Sequence, residues 1–360
     1  MRIFQICKSF IFLILSFNTI LKCILKNKKK AQFIILSENS QNLVDLRSKV
    51  HQKNNNINTF VNFVRTQNFF NGIRIYFKIN NVIYFNHIFN IVDYFQSYCG
   101  VKRSRIIKNY IYILSLILRY IKIEEFFSID DYRNIHIFSK ACELSKSKLY
   151  IFQHGRISIN LNYQKSLKNL KFEKFYVWSS YFKKKLIILN KNYKKLKIIN
   201  FNKFSYSKIV FHNPTKKKNI LVIQEDLVSD KTIICLLKNI KNLKNSKIYF
   251  KFRPNNKINI KIKKFLIDNK IDYFYKQNIL SIFKKYKINY LLASNSSLLL
   301  ESSYFLIFPI MFYEKEPFLK DYVKDKVVFS TKIKDIKKMI TKISKRRKDL
   351  INIKKRVWLN

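Results

Sequence analysis

The chain has 360 residues, 48% of them hydrophobic, which is enough for two buried cores and too long for one small domain. Lysine and arginine total 72 against 21 acidic residues, a net charge of +51, yet there are only 3 glycines and 4 prolines in a background rich in Lys, Asn, Ile, Phe and Tyr. Spread along the chain in this way, the charge reads as compositional drift: it argues against a dedicated nucleic-acid arm and leaves a general attraction to phosphates and anionic lipid. Five widely spaced cysteines (Cys7, Cys23, Cys99, Cys142, Cys235) with no C-x-x-C argue against a disulfide framework and a structural zinc site, and fit a reducing cytoplasm.

Within residues 1–30, the apolar run Phe10 to Leu15 is flanked by Lys8, Asn18 and Lys22, is short for a spanning helix, and is followed by no small-residue cleavage site. Lys26, Lys28, Lys29 and Lys30 come next. Two readings stand: a helix attached to the inner face of the cell membrane, or a helix packed on the first lobe. Ala31 to Leu36 predicts a strand, closed by Ser37-Glu38-Asn39-Ser40, a loop with helix-cap chemistry. Val82 to Tyr98 and Ile106 to Ile121 have helical apolar spacing. Glu125 to Ser128 predicts a strand ending at Asp130-Asp131, Ile135 to Ser145 a helix, and Leu149 to Phe152 a strand ending at Gln153-His154-Gly155. This β-α-β unit makes the two strands parallel neighbours. Phe175 to Trp178 predicts a further strand, with Ser179 capping a helix from Ser180 to Leu189.

Residues 190–218, rich in Lys, Asn and Ser and containing Pro214, read as a linker. The alternation then restarts. Strands are predicted at 219–223, 247–252, 271–275, 290–293 and 308–311, and helices at 232–243, 258–269, 279–286 and 298–305. Residues 31–200 thus form an N-terminal Rossmann-like lobe and residues 212–332 a C-terminal one, with basic closing helices over 333–360. Alternating strands and helices predict α/β architecture with two open parallel sheets. Ligands of such sheets bind beyond the carboxyl ends of the strands, where the polar clusters lie, and two sheets facing a central cleft would bring those clusters together.

His154 follows a strand directly and precedes Gly155, a residue that permits a sharp turn or close approach of a ligand. Its imidazole suits a general base, with Asp130 or Asp131 orienting it or acting as the base; the competing reading is a histidine that only holds the turn. His51, His87, His136 and His212 have no such setting. Ser296 and Ser297 precede a helix and could bind phosphate or simply cap it. Glu301, one turn on, could accept from ribose hydroxyls, or be an exposed helix residue. Arg253 ends a strand before Pro254 and could hold phosphate bidentately or lie on a solvated surface. Glu225 and Asp226 could position an acceptor or ribose, or line a solvated loop. No G-x-G-x-x-G, P-loop, D-x-D or serine-nucleophile elbow occurs, so dinucleotide binding, P-loop hydrolysis and metal-dependent single-lobe sugar transfer are not expected.

The order strand, Asp130-Asp131, helix, strand, Gln153-His154-Gly155, then Phe175 to Ser180, with Ser296-Ser297 and Glu301, resembles bacterial surface-polysaccharide transferases: capsular polysialyltransferases and CDP-glycerol glycerophosphotransferases. The resemblance runs from about Glu125 to Met311. It implies a GT-B fold with an acceptor-side first lobe and a donor-side second lobe. It also implies a nucleotide-activated donor, CMP- or CDP-linked, no metal or other cofactor, and a glycan or lipid-linked acceptor. Related sialyltransferases hold donor phosphate with a His-Pro pair; here the pair is Arg253-Pro254, which can bind phosphate but cannot donate a proton at neutral pH. The expected function is transfer of a sugar, or a glycerol-phosphate-type unit, to a cell-surface glycan in the cytoplasm or on the inner membrane face. His154, Asp130 and Asp131 are its catalytic candidates; Arg253, Ser296, Ser297 and Glu301 bind donor; Gln153, Gly155, Glu225 and Asp226 are candidate acceptor or ribose contacts. The alternatives are a basic nucleic-acid-binding protein and a non-catalytic GT-B scaffold of a polysaccharide assembly complex.

Overall fold

The computed structural model describes residues 2–25, 31–37, 59–65, 68–79, 81–128, 135–153, 155–159, 167, 170–195, 197–200, 217–225, 228–253 and 258–359. In chain order these form α1 (Arg2–Leu25), β1 (Ala31–Ser37), β2 (Thr59–Arg65), α2 (Phe69–Lys78), β3 (Val82–Ile83), α3 (Phe85–Tyr98), α4 (Arg103–Tyr120), β4 (Ile123–Ser128), α5 (Ile135–Ser145), β5 (Lys148–Phe152), β6 (Lys174–Val177), α6 (Ser180–Leu189) and β7 (Lys197–Asn200). There follow β8 (Lys218–Ile223), α7 (Asp230–Ile240), β9 (Ser246–Lys251), α8 (Ile260–Asp268), β10 (Asp272–Phe274), α9 (Ile279–Lys285), β11 (Tyr290–Ala293), α10 (Leu298–Tyr304), β12 (Phe308–Tyr313), α11 (Lys320–Lys324), β13 (Phe329–Lys332), α12 (Ile336–Ile343) and α13 (Arg347–Lys354).

The strands form two sheets, one in each of two compact units. The first sheet runs β3-β2-β1-β4-β5-β6-β7 and the second β10-β9-β8-β11-β12-β13. Every pairing of the second sheet is parallel, as are those from β3 through β6 in the first. Each chain segment enters at a central strand, walks outward through two more, then returns past its starting strand and continues the other way. The order reverses between β1 and β4 in the first sheet and between β8 and β11 in the second. A crevice opens beyond the carboxyl ends of the strands at such a reversal, and that is where doubly wound sheets bind ligands.

Composition explains which strands are central. In β8 every residue from Asn219 on is buried, and in β11 all four are buried. Such continuous apolar runs suit strands covered on both faces. Ile220 and Val222 of β8, Leu236 and Leu237 of α7, Phe250 of β9 and Leu292 of β11 share one core.

Several boundaries differ from the sequence expectations. Val82–Ile83 is not the start of a helix but edge strand β3, paired with Asn62 and Phe63; the helix begins at Phe85. The predicted linker contains β7, which extends the first sheet. Strand β2 and helix α2 fall in a stretch with no legible pattern, and α11 and β13 were not anticipated. Ser179 precedes α6, where its carbonyl accepts from Lys183 N at 3.1 Å, but its hydroxyl donates to the Val357 carbonyl. The lobe assignment also differs within 155–186: residues 155–159 and 178–186 cluster with the second unit. The lysines at 26–30 lie outside the described residues.

With so few glycines, other residues adopt the left-handed conformation that ends helices. Among the described residues nine non-glycine residues have positive φ, among them Lys122, Lys146, Lys270, Lys287 and Lys326, each between a helix and the next strand. Lysine, asparagine and, at Leu306, leucine fill these sites at the cost of some strain that glycine would avoid.

Candidate functional site

The described polar residues converge at the reversal point of the second sheet. Glu225 follows β8 by two residues, and Ser294-Asn295 follow β11 directly. The Glu225 carboxylate accepts from the Ser294 amide, and from the Asn295 amide at 2.9 Å on Oε1 and 2.8 Å on Oε2. It therefore ties together the ends of the two strands that flank the crevice. Glu225 is buried, and burial is the main cause that raises its pKa; the two amide bonds and the charges of Arg156 and Arg253 oppose that rise. Arg156 Nη2 donates to Asn295 Oδ1 at 2.5 Å. Arg253, exposed at the end of the neighbouring strand β9, donates its backbone N–H to Gln224 Oε1 at 3.3 Å. Two guanidinium groups thus flank one buried carboxylate at the crevice, an electropositive rim of the type that binds phosphate.

The serine doublet stands beside this cluster. Ser296 Oγ accepts from Leu298 N at 3.2 Å, and Ser297 Oγ donates to Glu301 Oε1 at 3.1 Å. Ser297 occupies the helix cap position without a side-chain cap bond, so Ser296 secures the helix start. Glu301 is not an exposed helix residue: it is buried on α10. Sequence reasoning passed over Arg156 and Asn295. The available signal was an arginine directly after a strand-end glycine, and an asparagine inside the run Ser294 to Ser297.

Arg156 reaches the crevice because its segment is fastened from below. Tyr322 OH donates to the Ile157 carbonyl, and Ser158 Oγ donates to Asp321 Oδ1 at 2.8 Å. Asp321 is held by Lys185 Nζ at 3.1 Å, which also meets Asp325 Oδ2 at 2.6 Å. All of these residues belong to the second unit.

In the first unit, Gln153 is buried and its N–H donates to the Tyr176 carbonyl at 2.9 Å, a bond that extends the β5–β6 ladder. Gly155 has no left-handed φ, and a Cβ built on it meets nothing within 4 Å. The backbone there therefore makes no demand for glycine, and of the two expected uses of this residue, a sharp turn or close approach of a ligand, only the second would call for its missing side chain. His154, Asp130, Asp131 and Asp226 lie outside the described residues. His87, by contrast, is buried and structural, bonded through Nδ1 to Ser9 Oγ at 3.0 Å.

No family model and no curated protein matches this chain. Solved structures do. The S. aureus MnaA–UDP co-structure superposes with a TM-score of 0.61 at 10% identity, covering 91% of each chain. The UDP-GlcNAc 2-epimerase from Neisseria meningitidis, bound to UDP-GlcNAc, gives 0.57 at 13% identity, over 91% of this chain and 94% of that one. The apo lipopolysaccharide outer core galactosyltransferase WaaB gives 0.53 at 12% identity, over 91% and 95%. At these identities the likeness is one of fold: the architecture is of the GT-B type, with two Rossmann-like lobes.

Proposed function

We propose that the protein is a nucleotide-sugar-dependent glycosyltransferase whose donor phosphates bind at the reversal point of the second sheet. The observation that carries this reading is the Arg156–Asn295–Glu225 cluster, with Arg253 alongside, at the carboxyl ends of β8, β9 and β11. Two guanidinium groups there would neutralise the charge that develops on a leaving phosphate, so the reading needs no metal. Ser296 and Ser297 would add hydroxyl donors to the phosphates. Glu301, already oriented by Ser297, would accept from ribose. His154, assisted by Asp130 or Asp131, would take the proton of the acceptor hydroxyl as its oxygen attacks the anomeric carbon and the sugar–phosphate bond breaks. Gln153, Gly155 and Asp226 remain proposed contacts of acceptor or ribose. Two of the solved proteins sharing the fold were captured with UDP or UDP-GlcNAc, which supports a uridine nucleotide as the first probe ahead of CMP or CDP. The match to a galactosyltransferase of the lipopolysaccharide outer core supports a surface-glycan acceptor.

The test is calorimetric titration with UDP, CDP, CMP and GDP. One nucleotide binds, and Arg156→Ala and Arg253→Ala each weaken it roughly tenfold or more, the range expected for a charge-assisted contact. Binding of none of the four, or unchanged affinity in both variants, overturns the assignment. A second reading, inversion at a sugar carbon of the nucleotide sugar itself, is favoured by the fold match to a UDP-GlcNAc 2-epimerase. Stereochemical change without acceptor or nucleotide release would decide for it; acceptor-dependent release of nucleotide would decide for transfer.

A further inference from the structure

Helix α1 is built inside out. The stripe it turns to the rest of its unit is largely polar: Ser9, Ser16 and Thr19 are buried there, with Phe12 between them. Ser9 Oγ bonds His87 Nδ1 at 3.0 Å, Ser16 Oγ accepts from Tyr84 N at 2.9 Å, and the Phe12 ring stacks on His87 at 4.5 Å between centroids. The opposite stripe is apolar and open: Phe4 is 73% exposed, Ile14 66%, Phe17 58% and Leu25 81%. A water-facing helix on a globular lobe has the reverse pattern. Small hydroxyl residues toward protein and large apolar residues outward is the arrangement of a helix whose outer solvent is lipid.

The neighbouring helix extends the surface. Phe12 packs edge-on against Phe69 of α2, and Asn18 Nδ2 donates to Tyr76 OH at 2.9 Å. On α2, Phe70 and Phe77 are exposed beside Arg74 and Lys78. Neither α1 nor α2 contains an aspartate or glutamate. The acidic residue of α3, Asp93, is paired with Arg103 at 3.2 Å. An apolar face bordered by basic residues, on two helices with no acid, complements an anionic bilayer surface and not an acidic protein groove alone.

We infer that α1, with the outer edge of α2, lies in the plane of an anionic membrane surface and sinks its Phe4–Phe17–Leu25 face into the lipid. The 22 residues Phe4–Leu25 are long and apolar enough to span a membrane, about 33 Å at the helical rise. Spanning, however, would strip the polar stripe from His87 and Tyr84, whereas lying flat keeps those bonds and uses the face already open. This inference does not depend on the nucleotide reading.

The experiment is flotation of the full chain with vesicles of phosphatidylcholine alone or mixed with phosphatidylglycerol, beside the double variant Ile14→Gln/Phe17→Gln. Both side chains are exposed, so the variant keeps its melting temperature. The expected result is binding that favours the anionic vesicles, is released by alkaline carbonate, and falls roughly tenfold or more in the variant, as loss of two inserted apolar side chains requires. Equal binding of variant and parent overturns the inference. So does binding that only detergent releases, which means a spanning helix. So does a parent that ignores vesicles but forms a dimer that the variant splits, which means a second copy covers the face.

Discussion

Replacing Lys185 by methionine tests how the second lobe holds the segment that carries Arg156. Lys185 and Asp321 have side chains only 5% and 3% exposed, with Nζ 3.1 Å from Oδ2. The cation also lies 4.7 Å from the Tyr322 ring centroid. Methionine keeps most of the volume and removes the charge, leaving Asp321 as a buried anion with the Ser158 hydroxyl still donating to it, and removing the lysine that also pairs with Asp325. Breaking a buried pair by removing one member costs about 3–5 kcal/mol. The expected loss at pH 7 is therefore about 4 kcal/mol. The chain has two tryptophans, Trp178 and Trp358, stacked 5.9 Å apart in the second lobe. Urea unfolding followed by tryptophan fluorescence therefore reports that lobe. A loss under about 1 kcal/mol at pH 7 refutes the reasoning.

Two further outcomes follow from the same geometry. Asp325 is subject to burial, which pushes its pKa up, but Lys185, the Tyr181 hydroxyl and Arg356 more than offset it, and the net shift is downward. A carboxylate depressed in the fold contributes stability above its ordinary range and loses it as pH falls through the folded value. The second lobe should thus lose stability as pH drops below about 4, and an acid titration of tryptophan fluorescence that stays flat there contradicts the pairing. Gly155→Ala should fold with stability unchanged to within about 0.5 kcal/mol, since its backbone is ordinary and the space beyond it is open. If turnover nevertheless falls at least tenfold, a ligand approaches that backbone; a destabilised variant contradicts the open geometry.

How much of this was legible in sequence depended on where the punctuation lay. The helix Ile135–Ser145 and the strand Tyr290–Ala293 fell at their predicted limits, because each is a clean periodic or apolar run bounded by polar residues. Val82–Ile83 was misread because the apolar spacing runs without interruption from strand β3 into α3, and the turn between them is made by Tyr84 and not by glycine or proline. Lys197–Asn200 and Phe329–Lys332 were missed because edge strands carry lysine and polar residues, the composition of loops. The usual helix stop, glycine, was also missing: lysines such as Lys146 and Lys287 take the left-handed position, and a lysine in a lysine-rich chain carries no signal.

The candidate site divides along the same line. Strand ends could be counted from the sequence, so Arg253, Glu225 and the Ser294 to Ser297 run were placed at a carboxyl edge before their partners were known. Strand order could not. Only the order β9-β8-β11 reveals that Glu225 and Asn295 flank the reversal point, and only the fastening of Ile157 and Ser158 to Tyr322 and Asp321 brings Arg156 into that crevice. Arg156 is separated from Asn295 by 139 positions and stands among many basic residues. Its selection rests on buried long-range chemistry, a neutralised carboxylate–lysine network two residues further on, and that network has no local pattern by which a sequence could announce it.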